Sequence, residues 1–241
     1  MSHAIAVITD VHGNYHALKA VLSRLDKFES VERIYCLGDM IALGPNTNEV
    51  LSELFARSDV SMVLGNHEDA VLRLLDGQRS DESEEAFLHH QWVAQGLAGQ
   101  YADLLRKLPR SLTVRHGNST FRFLHYHLGD KEQFLPIEND VTSERLDSLY
   151  AGQDIQLVGF GHHHPVHLLR SPTRIYVNPG ALGCNRQAQA RYAVVDITDT
   201  GPHVRLEHVT YDNTEFLQLY DKLDVPAKEL ILDMFHGERA L

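Results

Sequence analysis

The chain has 241 residues, 43% of them hydrophobic and 23% charged, which is an ordinary composition for a globular protein. No stretch approaches the roughly 20 consecutive apolar residues of a membrane-spanning helix, so the sequence predicts no membrane association. The 22 basic and 33 acidic residues give a formal net charge of −11, and an acidic surface disfavours binding of long DNA or RNA.

Seven short apolar runs, most of them rich in β-branched or aromatic residues, predict buried strands. They span Ile5–Ile8, Ile34–Leu37, Met62–Leu64, Phe121–Leu124, Leu157–Phe160, Ile175–Val177 and Tyr192–Val195. Helices are predicted between the first three strands because apolar residues repeat there at helical spacing, over residues 18–25 and 50–55. Alternating strands and helices are typical of a sheet covered by helices.

The middle of the chain, at about 69–110, is predicted to be a mostly helical insertion with a polar break at 77–85. His89 and His90 are expected on a solvated helix, and the acidic residues of 81–85 in a solvated loop. A helical tail is predicted at about 213–236, and its second helix has Pro226 in the first turn and Gly237 just beyond its end. No linker or repeat interrupts the chain, so we predict a single domain over residues 1–241.

Polar residues follow five of the predicted strands. They are Asp10 and His12, then Asp39, then Asn66 to Glu68, then His125, and finally His162 and His164. Each motif alone is compatible with a polar turn or a core histidine. Ligands of open sheets with strand–helix–strand units gather at the carboxyl ends of the strands, so the five motifs together predict one functional site.

These motifs, in this order across residues 10–164, resemble the five-part signature of the calcineurin-like metallophosphoesterase superfamily. The segments 10–14, 38–49, 178–180 and 211–212 are similar to its small bacterial phosphodiesterase and diadenosine-tetraphosphatase-like branch. The resemblance is weak only over 69–110. It implies an α/β fold, a four-layer α-β-β-α sandwich of two stacked mixed sheets flanked by helices.

The resemblance also implies a site for two divalent transition-metal ions. The first ion would be held by Asp10, His12 and His164, the second by Asn66, His125 and His162, and Asp39 would bridge both. Oxygen and imidazole ligands suit manganese, our first choice, and also iron, nickel or zinc, and without a ligating cysteine thiolate-selecting sites are disfavoured. His127 competes with His125 for one position, and His125 is preferred because it directly ends its strand.

His67 follows Asn66 but is assigned to neither metal, so it is predicted to be the general acid towards the leaving group. Asn14 is predicted to bind substrate, with the alternative that it only fixes its own loop. Cys184 is expected near the site as an inert thiol. The two ions would share a hydroxide that attacks phosphorus in line.

The sequence departs from the phosphoprotein phosphatases of this superfamily, which carry an Asp-Arg pair where this chain has Ala42 and Leu43. An arginine that would hold a phosphate and an aspartate that would orient His67 are therefore missing. This favours diesters and anhydrides over phosphoproteins. It also disfavours the symmetrical dinucleoside tetraphosphatases, which resemble the arginine-containing pattern.

The predicted function is hydrolysis of a small phosphodiester, nucleotide or dinucleoside polyphosphate by a metal-dependent phosphoric ester hydrolase. The alternatives are a phosphomonoesterase or protein phosphatase of the same superfamily, and a non-catalytic scaffold, which would be expected to lose ligands. The expected partner is a small phosphorylated substrate, such as a nucleotide. With two cysteines and an N-terminal segment that leads directly into a strand, a cytoplasmic location is expected.

Overall fold

The computed structural model describes residues 3–79 and 82–237. In the first half of the chain strands and helices alternate, as the hydrophobic pattern predicts. The elements are β1 (His3–Ile8), α1 (Tyr15–Leu25), β2 (Val31–Cys36), α2 (Thr47–Ala56), β3 (Val60–Met62), α3 (Asn66–Leu75), α4 (Glu84–Gly96) and α5 (Gly99–Leu105).

Strands dominate the second half, which ends in two helices. The elements are β4 (Ser111–His116), β5 (Ser119–Leu124), α6 (Ser143–Leu149), β6 (Leu157–Gly159), β7 (His167–Arg170), β8 (Ile175–Asn178), β9 (Gln189–Thr198), β10 (Gly201–Thr210), α7 (Thr214–Lys222) and α8 (Lys228–His236). The apolar runs did not predict β4, β7, β10 or α6. Few of the residues in these elements are buried, so their sequences carry no continuous apolar run.

The strands form two five-stranded sheets, in the orders β10-β9-β1-β2-β3 and β4-β5-β6-β8-β7. Both sheets are mixed. Strands β1, β2 and β3 are parallel in the first sheet, and β5, β6 and β8 are parallel in the second. The carboxyl ends of the parallel strands in each sheet therefore lie along one edge.

The two sheets pack face to face. Because successive side chains of a strand point to opposite faces, β1 contributes to two cores. Ile5 and Val7 pack against Phe121 and Phe123 between the sheets, while its other apolar residues pack against the helical layer of α1 to α5. Helix α6 packs on the outer face of the second sheet through Leu146. This arrangement confirms the predicted four-layer sandwich.

Residues 69–110 contain most of α3 and all of α4 and α5. The predicted exposure of His89 and His90 is wrong, since both are buried, at 3% and 5% exposure. Glu82, predicted in a solvated loop, faces the side chain of His90 at 2.7 Å, and Asp81 lies outside the described residues. Helix α4 packs against α3 and the tail, and this tertiary contact buries a surface that looks polar in sequence.

The second tail helix, α8, begins at Lys228, so the expected position of Pro226 in its first turn is wrong. Pro226 precedes the helix, and its carbonyl accepts a hydrogen bond from Nδ1 of His89 at 3.1 Å. Gly237 ends the helix with a φ of 79°, as predicted, because glycine adopts the left-handed region without strain. Among the described residues, no helix has both the length and the apolar surface needed to cross a membrane.

Candidate metal centre

The five strand-end motifs meet at the edge where the carboxyl ends of β1, β2, β3, β5 and β6 lie. Backbone hydrogen bonds connect their loops. The His12 N–H donates to the carbonyl of Asp39 at 2.9 Å, and the Gly161 N–H donates to the carbonyl of His125 at 2.7 Å. The second bond joins loops of two different strands of the second sheet. The loops are thus held in one position by the fold before any ligand binds.

The side chains predicted for the first metal lie together. Nε2 of His12 is 3.0 Å from Nε2 of His164, and each of these nitrogens is 3.7 Å from Oδ1 of Asp10. Oδ2 of Asp39 is 3.9 Å from Nε2 of His12. These separations allow the nitrogens and oxygens to converge on a single ion.

The side chains predicted for the second metal also lie together. Nε2 of His125 is 2.8 Å from Oδ1 of Asn66, 3.3 Å from Nδ1 of His162 and 3.2 Å from Oδ2 of Asp39. The same Asp39 oxygen therefore faces both groups of ligands. A carboxylate at this position has enough lone pairs to contact two cations at once.

The structure brings His125 into this site and leaves His127 outside it. Nδ1 of His127 is 2.8 Å from the hydroxyl of Tyr150, and its ring packs against Phe160 in the core beside the second sheet. In a continuous strand, residues two apart would share a face, but β5 ends at Leu124 and the chain bends at residues 125 and 126, so His127 faces a different neighbourhood. The geometry thus supports the preference for His125.

The charges of the site fit a cation. Burial lowers the pKa of His12 well below its usual value and that of His162 to about 4, so both rings are neutral and can bind a metal. Burial acts in the same direction on His125, but the Asp39 carboxylate outweighs it and raises the pKa of His125 to about 9. Although burial opposes ionisation, His125 and His67 keep the pKa of Asp39 well below its usual range. A buried carboxylate that stays ionised needs positive charge beside it.

Four of the predicted ligands have a left-handed backbone. The φ angles are 54° for Asp10, 48° for His12, 51° for Asp39 and 65° for His162. This region is strained for residues other than glycine, at about 1–3 kcal/mol each, and such strain is concentrated at functional sites. The tertiary structure therefore supports conformations that these loops would not adopt alone.

His67 lies at the edge of the site, with Nε2 at 3.8 Å from Oδ2 of Asp39. Burial lowers its pKa to about 3, so its ring is neutral in the ligand-free protein at neutral pH. Its Nδ1 lies 2.7 Å from Nε2 of His90, a neighbour that the sequence analysis had placed in solvent. The ring is therefore held by a contact from the helical insertion.

Asn14 is fully buried and its amide is engaged within the protein. Its Oδ1 accepts from the backbone N–H of Ala17 and caps α1, and its Nδ2 donates to the carbonyl of Gly183 and the hydroxyl of Tyr211, both at 2.9 Å. These contacts favour the loop-fixing alternative over the predicted contact with substrate.

Glu68 has a structural role that the sequence analysis did not predict, although Glu68 is part of the Asn66-to-Glu68 motif. Its carboxylate is fully buried and accepts hydrogen bonds of 2.7–3.1 Å from the backbone N–H groups of Gly65, Asp39, Met40 and Ile41. Burial and the nearby Asp39 charge raise its pKa to about 7. Glu68 thus ties the start of α3 to the loop that carries Asp39.

We expect Glu68→Ala to lower the free energy of unfolding by more than about 3 kcal/mol, because each buried N–H left without its acceptor costs about 1–3 kcal/mol. Urea unfolding of the metal-free protein measures this loss. Glu85→Ala, at the exposed start of α4, is the control and should change stability by less than about 0.5 kcal/mol. A Glu68→Ala loss no larger than that of the control would contradict this role.

Cys184 lies beside the first group of predicted ligands, although it is not one of them. Its Sγ lies within 4.8 Å of ligand nitrogens of both His12 and His164. Burial raises the pKa of the thiol well above its usual value, which keeps it protonated and is consistent with the predicted inert thiol.

Comparison with known proteins identifies the family. The profile of the calcineurin-like phosphoesterase superfamily domain matches residues 4–200. The fold and the family define this protein as a phosphoric ester hydrolase. The chain belongs to the calcineurin-like phosphoesterase superfamily, which confirms the resemblance seen in its motifs.

Two curated relatives illustrate the range of similarity. The chain is 28% identical to an uncharacterized protein of Methanocaldococcus jannaschii, a match that covers 86% of this chain and 88% of the other. It is 32% identical over 146 residues to a symmetrical bis(5'-nucleosyl)-tetraphosphatase of Coxiella burnetii. That second match covers 61% of this chain but only 48% of the relative, so the chain spans about half of the tetraphosphatase.

Solved structures support the same fold. A hypothetical protein of Pyrococcus horikoshii superposes over 98% of this chain and 99% of its own, with a TM-score of 0.81 at 18% identity. A metallophosphoesterase of Sphaerobacter thermophilus covers 99% and 100%, with a TM-score of 0.73 at 24% identity. A putative diadenosine tetraphosphatase covers 88% and 95%, with a TM-score of 0.58 at 20% identity.

Proposed function

We propose that this protein uses two divalent metal ions to hydrolyse a small phosphodiester or phosphoanhydride, with a dinucleoside polyphosphate as the preferred substrate class. The observation that carries the proposal is the position of Asp39, whose Oδ2 faces one ligand group at 3.9 Å and the other at 3.2 Å. A shared carboxylate between two sets of imidazole ligands is the arrangement that a pair of cations requires.

The proposed ligands are Asp10, His12 and His164 for one ion and Asn66, His125 and His162 for the other, with Asp39 common to both. When bound, two such ions supply an activated water and neutralise charge on the phosphoryl oxygens. Oxygen and imidazole donors favour manganese, iron, nickel or zinc, and growth conditions decide among them as much as the ligands do.

His67 is proposed to be the proton donor to the leaving group. Its Nε2 points towards Asp39, and the side chain retains 19% exposure, so a bound substrate can reach it. The ring is neutral in the ligand-free protein, so it must take up a proton when the anionic substrate binds. The negative charge of the substrate favours this imidazolium form.

A cavity beside His164 suits the phosphates of the substrate. It has a volume of about 560 Å³ and is lined by Arg186 and Arg191 as well as by Phe235 of α8. Neither arginine forms an ion pair with a carboxylate in the described part of the chain. In a protein with a net charge of −11, two guanidinium groups beside His164 that have no carboxylate partner among the described residues favour a substrate with additional phosphates.

A second cavity of about 120 Å³ lies beside His67, between α4 and α8. Its lining is largely apolar and includes Leu43, Leu230 and Met234. An apolar cavity on the side of the proton donor suits the flat ring of a leaving group, such as a nucleobase. The curated relatives named as symmetrical bis(5'-nucleosyl)-tetraphosphatases favour the same class of substrate. Ala42 and Leu43, by contrast, argue against the symmetrical type of cleavage.

The test is a substrate panel with enzyme reconstituted in manganese, iron, nickel or zinc. We expect a higher kcat/KM for dinucleoside polyphosphates and aryl diesters than for phosphoserine peptides. The Arg186→Ala, Arg191→Ala double variant should raise KM for the polyphosphate by more than about 100-fold, since two charged contacts at about 1.5–3 kcal/mol each sum to at least about 3 kcal/mol. The arginines should matter little for a nitrophenyl diester.

The matched control is Arg170→Ala, because Arg170 lines a different surface cavity with Pro172 and Pro202. This variant should leave both substrates unaffected. A phosphopeptide that proves the best substrate would favour the protein phosphatase alternative. Absence of activity with every metal and substrate would favour the non-catalytic scaffold.

A further inference from the structure

A chain of hydrogen bonds leads from His67 into the helical insertion. Nδ1 of His67 lies 2.7 Å from Nε2 of His90, and Nδ1 of His90 lies 2.7 Å from Oε2 of Glu82. The side chains of His90 and Glu82 are 7% and 16% exposed, so solvent competes little for these bonds. Both partners come from the segment that leads into and forms α4, a part of the chain with no predicted ligand.

With Glu82 ionised and His90 neutral, the direction of each hydrogen bond follows from the chemistry of the three side chains. An ionised carboxylate only accepts, so Nδ1 of His90 carries the hydrogen that Glu82 receives. A neutral His90 then has an unprotonated Nε2, which accepts the hydrogen on Nδ1 of His67. The Nε2 atom of His67 is therefore the one that faces the site, at 3.8 Å from Oδ2 of Asp39.

We propose that His90 and Glu82 are positioning residues for His67, which they hold with its Nδ1 protonated and its Nε2 directed at the leaving group. This inference rests on the proposed function of His67 as proton donor. In the step itself, a water oxygen bonds to phosphorus while the P–O bond to the leaving group breaks with its electron pair on the leaving oxygen. The imidazolium form of His67, present when the anionic substrate is bound, transfers its Nε2 proton to that oxygen. His67 keeps the Nδ1 proton, and His90 neither gains nor loses a proton in this step.

The arrangement compensates for Ala42 and Leu43, which offer no side chain to orient His67. A carboxylate reaches His67 indirectly, through the ring of His90. The neighbouring His89 strengthens the support, since its Nε2 accepts the backbone N–H of Leu43 at 2.8 Å and its Nδ1 binds the Pro226 carbonyl. Helix α4 is thereby fixed against both the site loop and the tail.

Two substitutions of His90 separate positioning from packing. His90→Leu removes the acceptor for His67, while His90→Gln can accept from His67 through Oε1 and donate to Glu82 through Nε2. We expect His90→Leu to lower kcat about 10- to 100-fold on a diester with a ribose leaving group, a part of the 10²- to 10⁴-fold that general acids contribute. On a nitrophenyl diester the loss should be below about 3-fold, because nitrophenolate needs no proton.

His90→Gln should recover most of the lost rate, and Glu82→Leu should show a smaller loss with the same dependence on the leaving group. Gln91→Leu, at an exposed position of the same helix, is the control and should change neither substrate. Equal losses of His90→Leu on both substrates at unchanged metal content, or no loss on either, would overturn the proposal.

A second measurement does not depend on activity. Nitrogen-15 NMR of labelled protein reports which ring nitrogen of His67 carries hydrogen. We expect the Nδ1–H form in the wild-type protein and a shift towards the Nε2–H form in His90→Leu. A wild-type His67 in the Nε2–H form would overturn the positioning role. If the wild-type enzyme hydrolyses no member of the substrate panel, the proposed function fails while the NMR result still decides this inference.

Discussion

Asp39→Ala should lose metal from both sites and abolish turnover, because one Asp39 oxygen faces both ligand groups. Substitution of residues that merely support ligands costs about 10- to 100-fold in metal affinity, and we expect a loss above about 100-fold for a shared ligand. His162→Ala, by contrast, should chiefly empty the second site, since Nδ1 of His162 contacts only that group, at 3.3 Å from His125. Elemental analysis of purified and reconstituted protein measures both outcomes.

The control is Asp26→Ala, which removes a surface carboxylate that pairs with Arg57 far from the strand ends. It should bind metal like the wild type. Thermal unfolding of the metal-free proteins shows whether Asp39→Ala still folds. If a folded Asp39→Ala protein still bound two full equivalents of metal, this result would contradict the bridging role of Asp39.

The second large effect is expected for His67→Asn on substrates with poor leaving groups. General acid catalysis typically contributes about 10²- to 10⁴-fold, and a ribose alkoxide needs this help whereas nitrophenolate does not. We therefore expect kcat/KM to fall by this factor on the ribose diester and by less than about 10-fold on the nitrophenyl diester. Metal content should remain near that of the wild type, because His67 is not among the proposed ligands.

His16→Asn is a suitable control, since His16 lies in α1 and its nearest carboxylate is that of Glu215, away from the site. Similar losses of His67→Asn on the two substrates would indicate that His67 binds the substrate phosphate or supports the loop. Loss of metal from His67→Asn would instead indicate that His67 is a ligand. Its position near His12 and Asp39 allows this sterically.

The positions of the candidate ligands could be predicted from the sequence alone. Short apolar runs mark the buried strands, and the polar residues directly after them must lie at the edge where parallel strands end. Asp10, Asp39 and His125 were placed in this way, and the structure brings them together. These motifs are local, so they are visible without knowledge of the tertiary structure.

The half-exposed elements were harder to predict. Strand β10 consists mainly of half-buried and exposed residues, and only Val204 in it is buried, so it lacks the continuous apolar run of β1. Helix α6 is seven residues long with one buried side chain. Such elements are stabilised by the neighbours they pack on, β9 and the second sheet, and not by their own sequence.

The contacts of the polar residues outside the motifs could not be predicted from the sequence, because they depend on the packing of distant segments. The sequence around His89 and His90 predicts solvated residues, because the side chains that bury them belong to distant segments, including the tail. The sequence leaves open whether Asn14 faces the substrate or its own loop. In the structure its amide donates to Gly183 and Tyr211, which lie far along the chain. A hydrogen bond between residues far apart in sequence leaves no periodicity, since it depends on geometry that forms only when the layers pack.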